Sequence, residues 1–526
     1  MAIESKIVKA QLEGFYTLLS NAENILNKYT TLNSNVEKSF YVCFKGFTSS
    51  AINYLISVYQ DLLNEKNDTI IYTKSNANRA FLRNCIESTL LLNIFFNHEE
   101  YCDKFMMTFD SDVKRITSLF TGIKDEDAKY LKRFAWLPRI KGKRINNLND
   151  LLNYIDFEND EQKLFYQILI RNIDNFTHPS FNISESIESK HILDSKYILS
   201  IFAKDGLFYQ LCEHFVSSLI EYLGDKITNA EKELLEKGIG ELKTTNNIDV
   251  YYLKLSKQIP VNCSPISYVI ALIPNYILPF KNIPYKKRNI GYLLQDLATH
   301  YDDLLKSYFC LDTTLFYTKA RHVLESLSLL HILLKEDEYR NYIFNIHQDI
   351  KGYEAKRTSQ AILKELQPNL EDPLLDDKYE ENIKKVATYY QKVFNLDIER
   401  SKLLRLNGWA LYLKNINNEV VPNAPDLLTI LVNDSYNNDE KIKDFILGVF
   451  EESNAFLHIT PYATFNNDTS RLKQTIQIIN RLLIQVIYGT LSIFKLKEII
   501  DEKTTDLINN MFFANLISLN EYIQNS

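Results

Sequence analysis

The sequence predicts an all-α protein built of two homologous helical bundles in tandem, and three observations predict it. Apolar residues recur at three- and four-residue spacing over ten stretches, the period of one helix face. Only 13 Gly and 12 Pro occur in 526 residues, few for a chain that must turn between many strands. One helical module also occurs twice, its landmarks in the same order. A content of 45% apolar and 24% charged residues is globular, so each half has enough material for its own core.

In order, the periodic stretches are 7–29, 51–64, 80–97, 161–177 and 207–224, then 292–309, 315–335, 378–394, 440–457 and 470–497. The repeat is read from residues inside them. Arg83, Glu87, Ser88, Leu91, Ile94 and Tyr101 match Arg321, Glu325, Ser326, Leu329, Ile332 and Tyr339 without a gap. Upstream, Tyr59 and Leu62-Leu63 match Tyr301 and Leu304-Leu305. Downstream, the only two tryptophans, Trp136 and Trp409, each precede an Asp-Leu-Leu, at Asp150 and Asp426. Each half then reaches a Phe-x-His, ending at His178 and His458. A long internal period has to be found before a fold is assigned. Two copies predict a fused pseudo-dimer, with units 1–243 and 244–526. Gly, Asn and Thr between Gly238 and Pro260 mark the connection, where Ile248–Leu255 alternates like a strand. The Arg-to-His spacing is 95 residues in the first copy and 137 in the second, and the polar run Gln367–Glu381 reads as an inserted loop.

A net charge of -7 argues against a general nucleic-acid coat but leaves room for a local basic site. Six scattered cysteines without a C-x-x-C pair fit a reducing cytoplasm and no thiolate metal site. The N-terminal residues lack a signal-peptide layout. The most apolar windows, Tyr268–Phe280 and Leu482–Phe494, read as too short to span a bilayer, so no membrane association is expected.

Arg83 and Glu87 share a helix face with Leu90 and Ile94, and Arg321 and Glu325 share the equivalent face with Ile332. A charged pair in an apolar stripe has to be paired to be tolerated. Each pair is therefore expected to form a buried polar node, with the late histidine of the same half beside it. Such a node is either a salt bridge that fixes helix packing or part of an active site.

In the first half, Arg171, Asp174, Asn175 and His178 fall at i, i+3, i+4 and i+7 of a helix that ends before Pro179, and so line one stripe. Imidazole can move protons and guanidinium can hold phosphate, which is equipment for metal-free phosphodiester cleavage. The structural alternative is a helix C-terminus capped by its histidine.

This Arg, a polar residue after it (Asn172) and a His near the end of a late helix resemble the R-x4-6-H signature of the HEPN superfamily. The resemblance implies a small all-α, metal-independent endoribonuclease or toxin-type effector of bacterial anti-phage defence. Such domains pair, placing two motifs in one composite cleft. It also implies catalytic roles for Arg171, Asp174 and His178, and no metal or cofactor. The second copy departs from the pattern. Glu451 stands where Arg171 does and Asn454 where Asp174 does, so this half reads as degenerate for phosphate binding, although His458 remains.

Seven basic and no acidic residues fall between Lys129 and Arg144. Lys132, Arg133, Arg139, Lys141 and Arg144 with Trp136 suit contact with RNA, cations on phosphate and aromatics on unpaired bases. Equally, Trp136 can simply anchor a solvated loop. Walker, dinucleotide, zinc-protease and serine-hydrolase motifs are absent, and the nine histidines show no ligand spacing. The expectation is a ribonuclease acting on RNA, with a protein partner or trigger and homo-oligomerisation left open. The rivals are a non-catalytic module that binds protein or RNA, and a small-ligand sensor.

Overall fold

The computed structural model describes residues 2–64, 80–121, 207–243, 264–277, 284–366, 373–413, 420–493 and 502–525, with shorter pieces between 134 and 170. Every regular element among them is helical, eighteen α-helices and three short 3₁₀ turns, as the all-α expectation requires.

In the first half run α1 (Ala2–Tyr29), α2 (Asn35–Asn64), α3 (Ala80–Asn97), α4 (Tyr101–Thr121), α5 (Leu148–Leu151), α6 (Leu207–Leu223) and α7 (Asn229–Lys243). Next come α8 (Pro265–Ile277), α9 (Tyr285–Phe309), α10 (Thr313–Lys335), α11 (Glu338–Leu366), α12 (Pro373–Phe394) and α13 (Arg400–Leu403). Last are α14 (Ala424–Tyr436), α15 (Glu440–Phe456), α16 (Pro461–Phe465), α17 (Leu472–Ile493) and α18 (Glu502–Asn525).

Two helices are central. In α3, 14 of 18 residues are buried, and in α10, 20 of 23 are, so neither has a solvated face. Helix α3 packs on α2 and α6, while α10 packs on α9 and α17. Helix α1 lies on α2 and α7, and α8 lies on α9 and α18. The buried apolar residues form two clusters. One runs from Leu12 to Leu242 and takes in Ile459; the other runs from Ile266 to Ile523 and takes in Ile116. Burying a Leu, Ile or Phe is worth roughly 1.5–3 kcal/mol, so each cluster is well able to hold its helices together.

The repeated landmarks fall on similar local structures. Tyr59 and Tyr301 are both buried, on α2 and α9. Asn147 caps α5 and Asn423 caps α14, each in a capping box closed by the Asp of Asp-Leu-Leu, Asp150 or Asp426. Trp136 packs on Phe95 and Phe105, ring centroids 5.8 and 5.3 Å away, and Trp409 packs on Phe344 at 4.8 Å. The loop bearing Trp409 is anchored by Arg340. This buried guanidinium donates to the carbonyls of Trp409, Leu411 and Tyr412, and lies 5.0–5.7 Å from the rings of Tyr389, Tyr390 and Phe394.

Two sequence readings change. The run Gln367–Glu381 is not simply an inserted loop, because its residues from Pro373 onward begin α12. Helix α17 extends ten residues before Leu482, so the apolar window there belongs to a 22-residue helix long and apolar enough to cross a membrane, half of that stretch being buried in the protein. The strand-like Ile248–Leu255 lies outside the described residues.

Candidate functional site

The two halves meet where α4 crosses α15 and α16 and where α16 returns to α2. Asp439 caps the start of α15, its carboxylate accepting from the amides of Lys441 and Ile442. The helix stops at Phe456, and Thr460 caps α16 by accepting from Ala463 N at 3.1 Å, with Pro461 in the first helical position. The Thr460 hydroxyl also donates to Ala455 O at 3.0 Å, closing the link. His458 is held in this short, doubly capped connection.

From there His458 reaches the other half. Its Nδ1 is 3.4 Å from Arg83 Nη1 and 3.8 Å from the Glu87 carboxylate. The Glu87 side chain is 1% exposed and that of His458 23%, so the imidazole lies between the core and solvent. His458, expected beside the node of its own half, has its described contacts with the first-half node, while His178 lies outside the described residues. The reason is steric as well as polar. Ile459 packs into the first core over Gly46 of α2, where an added Cβ would lie 2.6 Å from Ile459 Cδ1. The small residue lets the chain approach closely enough to seat His458.

The carboxylate expected to spoil the second half is compensated. Glu451 Oε2 is 2.5 Å from Arg115 Nη1 on α4, and Arg115 Nη2 is 3.1 Å from Asp112. Burial pushes the Asp112 carboxyl above its ordinary range, partly countered by Arg115. Nearby, Phe120 lies over Gly448, where a Cβ would meet its ring at 2.9 Å, and the Arg471 guanidinium lies 4.5 Å from that ring. The fully buried Glu452 accepts from Arg471 at 2.8 Å and from Tyr462 at 2.7 Å.

The second node forms as expected. Arg321 and Glu325 pair at 2.9 Å, with side chains 10% and 6% exposed, and the guanidinium lies 4.6 Å from the Phe450 ring. On another side of α10 runs a polar line that the sequence reading did not single out. His300 and His322 stack with ring centroids 4.5 Å apart. His300 Nε2 is 3.4 Å from Asp296, which accepts from the Ser326 hydroxyl at 2.8 Å. Lys319 pairs with Asp303 at 3.1 Å. Burial, then neighbouring His300, holds the His322 imidazole well below its ordinary pKa. The signal was present: Asp296, His300 and Asp303 stand at i, i+4 and i+7, facing Lys319, His322 and Ser326 at i, i+3 and i+7. Polar residues at core spacing on two adjacent helices are a buried network.

Arg171, Asp174 and His178 lie outside the described residues, as do Lys132, Arg133, Lys141 and Arg144. Of the basic stretch, Arg139 is exposed, and Trp136 is 7% exposed with its ring used in packing against α3 and α4. Among the described residues no group of three His, Cys, Asp or Glu could hold a metal ion. No family model matches the chain, and neither does any curated protein or solved structure.

Proposed function

We propose that the chain is a metal-independent endoribonuclease of HEPN-like type, a fused pair of helical bundles with its acid–base groups at the junction of the halves. The observation that supports this best is the meeting of His458 with Arg83 and Glu87 across the junction. A partly exposed imidazole beside a guanidinium and a carboxylate has what RNA cleavage needs. In the proposed reaction a ribose 2′-oxygen attacks the adjacent phosphorus and the bond to the 5′-oxygen breaks. One imidazole takes the 2′-hydroxyl proton, a protonated group supplies one to the leaving 5′-oxygen, and a guanidinium stabilises the charge on phosphate. His458 and Arg83 would serve at the junction, with Glu87 orienting the imidazole. His178, Arg171 and Asp174 keep the roles that the resemblance gives them. The defence role and the cytoplasmic setting belong to the same proposal.

The test is incubation of the purified chain with single-stranded and structured RNA in EDTA, with separate His458→Ala and His178→Ala variants. A second reading is a non-catalytic module that binds protein or RNA. It is supported by the near-complete burial of Glu87 and by the Ile459 anchor, which suit a staple between halves. Uncut RNA under every condition would favour it.

A further inference from the structure

Helix α18 is anchored to the second half by one face. Ile508, Phe512, Leu516 and Ile523 are buried in the core, and the Asn480 side-chain amide donates to Asn520 Oδ1 at 2.7 Å. The opposite face runs Lys503, Leu507, Asn510, Ala514, Ile517 and Glu521. All six are exposed, Leu507 by 58% and Ile517 by 57%. Their spacing alternates four and three, which holds them in one narrow stripe over about five turns, the spacing of a coiled-coil seam.

The order of these residues decides what could cover the stripe. Lys503 and Glu521 stand nine positions either side of Phe512, Leu507 and Ile517 five, and Asn510 and Ala514 two. The stripe is therefore complementary to itself reversed. Two such helices laid antiparallel about a two-fold axis level with Phe512 would set each Lys503 against Glu521 of the other copy. Each Leu507 would meet Ile517, and each Asn510 the small Ala514. A two-fold contact between identical chains requires this kind of match. A parallel pair would instead set Lys503 on Lys503 and Glu521 on Glu521, like charges that repel. The flanking acids leave the antiparallel pairing intact. Asp506, at the edge of the stripe, would meet Ser518, and Glu502 points about 100° away from Lys503 around the helix.

We propose that α18 is a homodimer interface, paired antiparallel with α18 of a second copy of the chain. An unrelated protein would gain nothing from the mirrored order of charges and apolar groups, which favours the second copy as the occupant. Two Leu and two Ile side chains, with a polar Asn in the seam, make a small contact. It belongs at the weak end of specific interfaces, with a Kd in about the micromolar range. The interface does not depend on ribonuclease activity, since none of its residues belongs to the His458 junction.

The test is sedimentation equilibrium of the full chain at up to about 100 μM, well above such a Kd. A reversible monomer–dimer equilibrium is expected. Leu507→Asp and Ile517→Asp change exposed positions, so each should keep the helical circular-dichroism signal and weaken association at least about tenfold. Lys503→Glu or Glu521→Lys alone brings like charges together twice per dimer and should weaken it by about threefold or more. The two exchanges combined should restore the parent affinity. A parent chain that stays monomeric, an Ile517→Asp chain that associates like the parent, or a charge exchange that the double variant does not recover would each overturn the proposal.

Discussion

His458 and Arg83 stand 375 positions apart in the chain, yet the imidazole Nδ1 is 3.4 Å from the guanidinium Nη1. The connection between α15 and α16 therefore hands its histidine to the opposite half, and the polar node of α3 is completed from outside its own bundle. A node assembled in this way is sensitive both to proton-transfer chemistry and to how closely the halves approach.

If the junction is the acid–base centre, His458→Ala lowers RNA cleavage by roughly 10²–10⁴-fold, the usual contribution of such a group. His178→Ala should lower it on the same scale. Activity persists in EDTA, and the 5′ fragment ends in a 2′,3′-cyclic phosphate, read by mass spectrometry. Cleavage that requires Mg²⁺, or that is untouched by both substitutions, ends the proposal.

Arg115 bridges Asp112 of its own helix and Glu451 of the other half, with all three side chains mostly buried. Arg115→Met leaves two carboxylates close together with no cation between them. Losing one partner of a buried pair costs about 3–5 kcal/mol, and partial exposure lowers the expected loss here to about 1–3 kcal/mol. Adding Glu451→Gln should restore part of it, because the repulsion is then gone. Urea unfolding of the two single variants and the double variant measures this; a strictly additive cycle would mean that the pair is not coupled.

Helices α3, α6 and α15 were legible in the sequence nearly to the residue, and so were the Arg321–Glu325 pair and the shared Asp-Leu-Leu landmark. Helix α11 was not read. Tyr342, Ile346 and Ile350 share one face while Phe344 stands on the opposite one, against Trp409, because the helix packs on α9, on α12 and on the Trp409 turn, so its apolar residues are not confined to one stripe. The crossing of His458 was illegible for another reason. Periodicity fixes which face of its own helix a residue occupies, not which bundle the next helix docks on. Only Gly46, too far away in sequence to suggest a partner, carries the trace of that docking. Arg115 was missed because it lies on α4, which is not among the periodic stretches and of which only the first residue, Tyr101, belongs to a matched motif.

Gly46→Ala tests the close approach directly. In mid-helix, Ala is favoured over Gly by up to about 1 kcal/mol, but here the new methyl lies 2.6 Å from Ile459 Cδ1. That overlap is with a side-chain end, so Ile459 must shift, and His458 shifts with it. Gly46→Ala alone is expected to be destabilising by about 1 kcal/mol, within the usual range for overpacking. Ile459→Val removes Cδ1, and in that background Gly46→Ala should become neutral or stabilising. Stability measured by urea unfolding decides it; the same effect in both backgrounds would show that Ile459 does not limit the approach.

The final expectation concerns pH. His347 is wholly buried on α11, and its Nε2 lies 3.0 Å from Leu403 O and 2.9 Å from Arg405 O, holding the turn before Trp409. Burial, then the nearby Lys351 charge, lowers its pKa to about 4, against the upward pull of the two carbonyls. The unfolded chain, with an ordinary histidine near 6.5, binds a proton more readily than the folded one throughout the interval between these values. Stability is thus complete above about pH 6.5 and declines as pH falls toward 4, by about 3 kcal/mol from this residue alone. The depressed His322 acts in the same direction. His347→Gln keeps an N–H for the carbonyls but cannot titrate, so it should flatten the slope of stability against pH between about 4 and 6.5. Urea unfolding of the parent and the variant at a series of pH values gives that slope, and parallel curves would exclude His347 as its source.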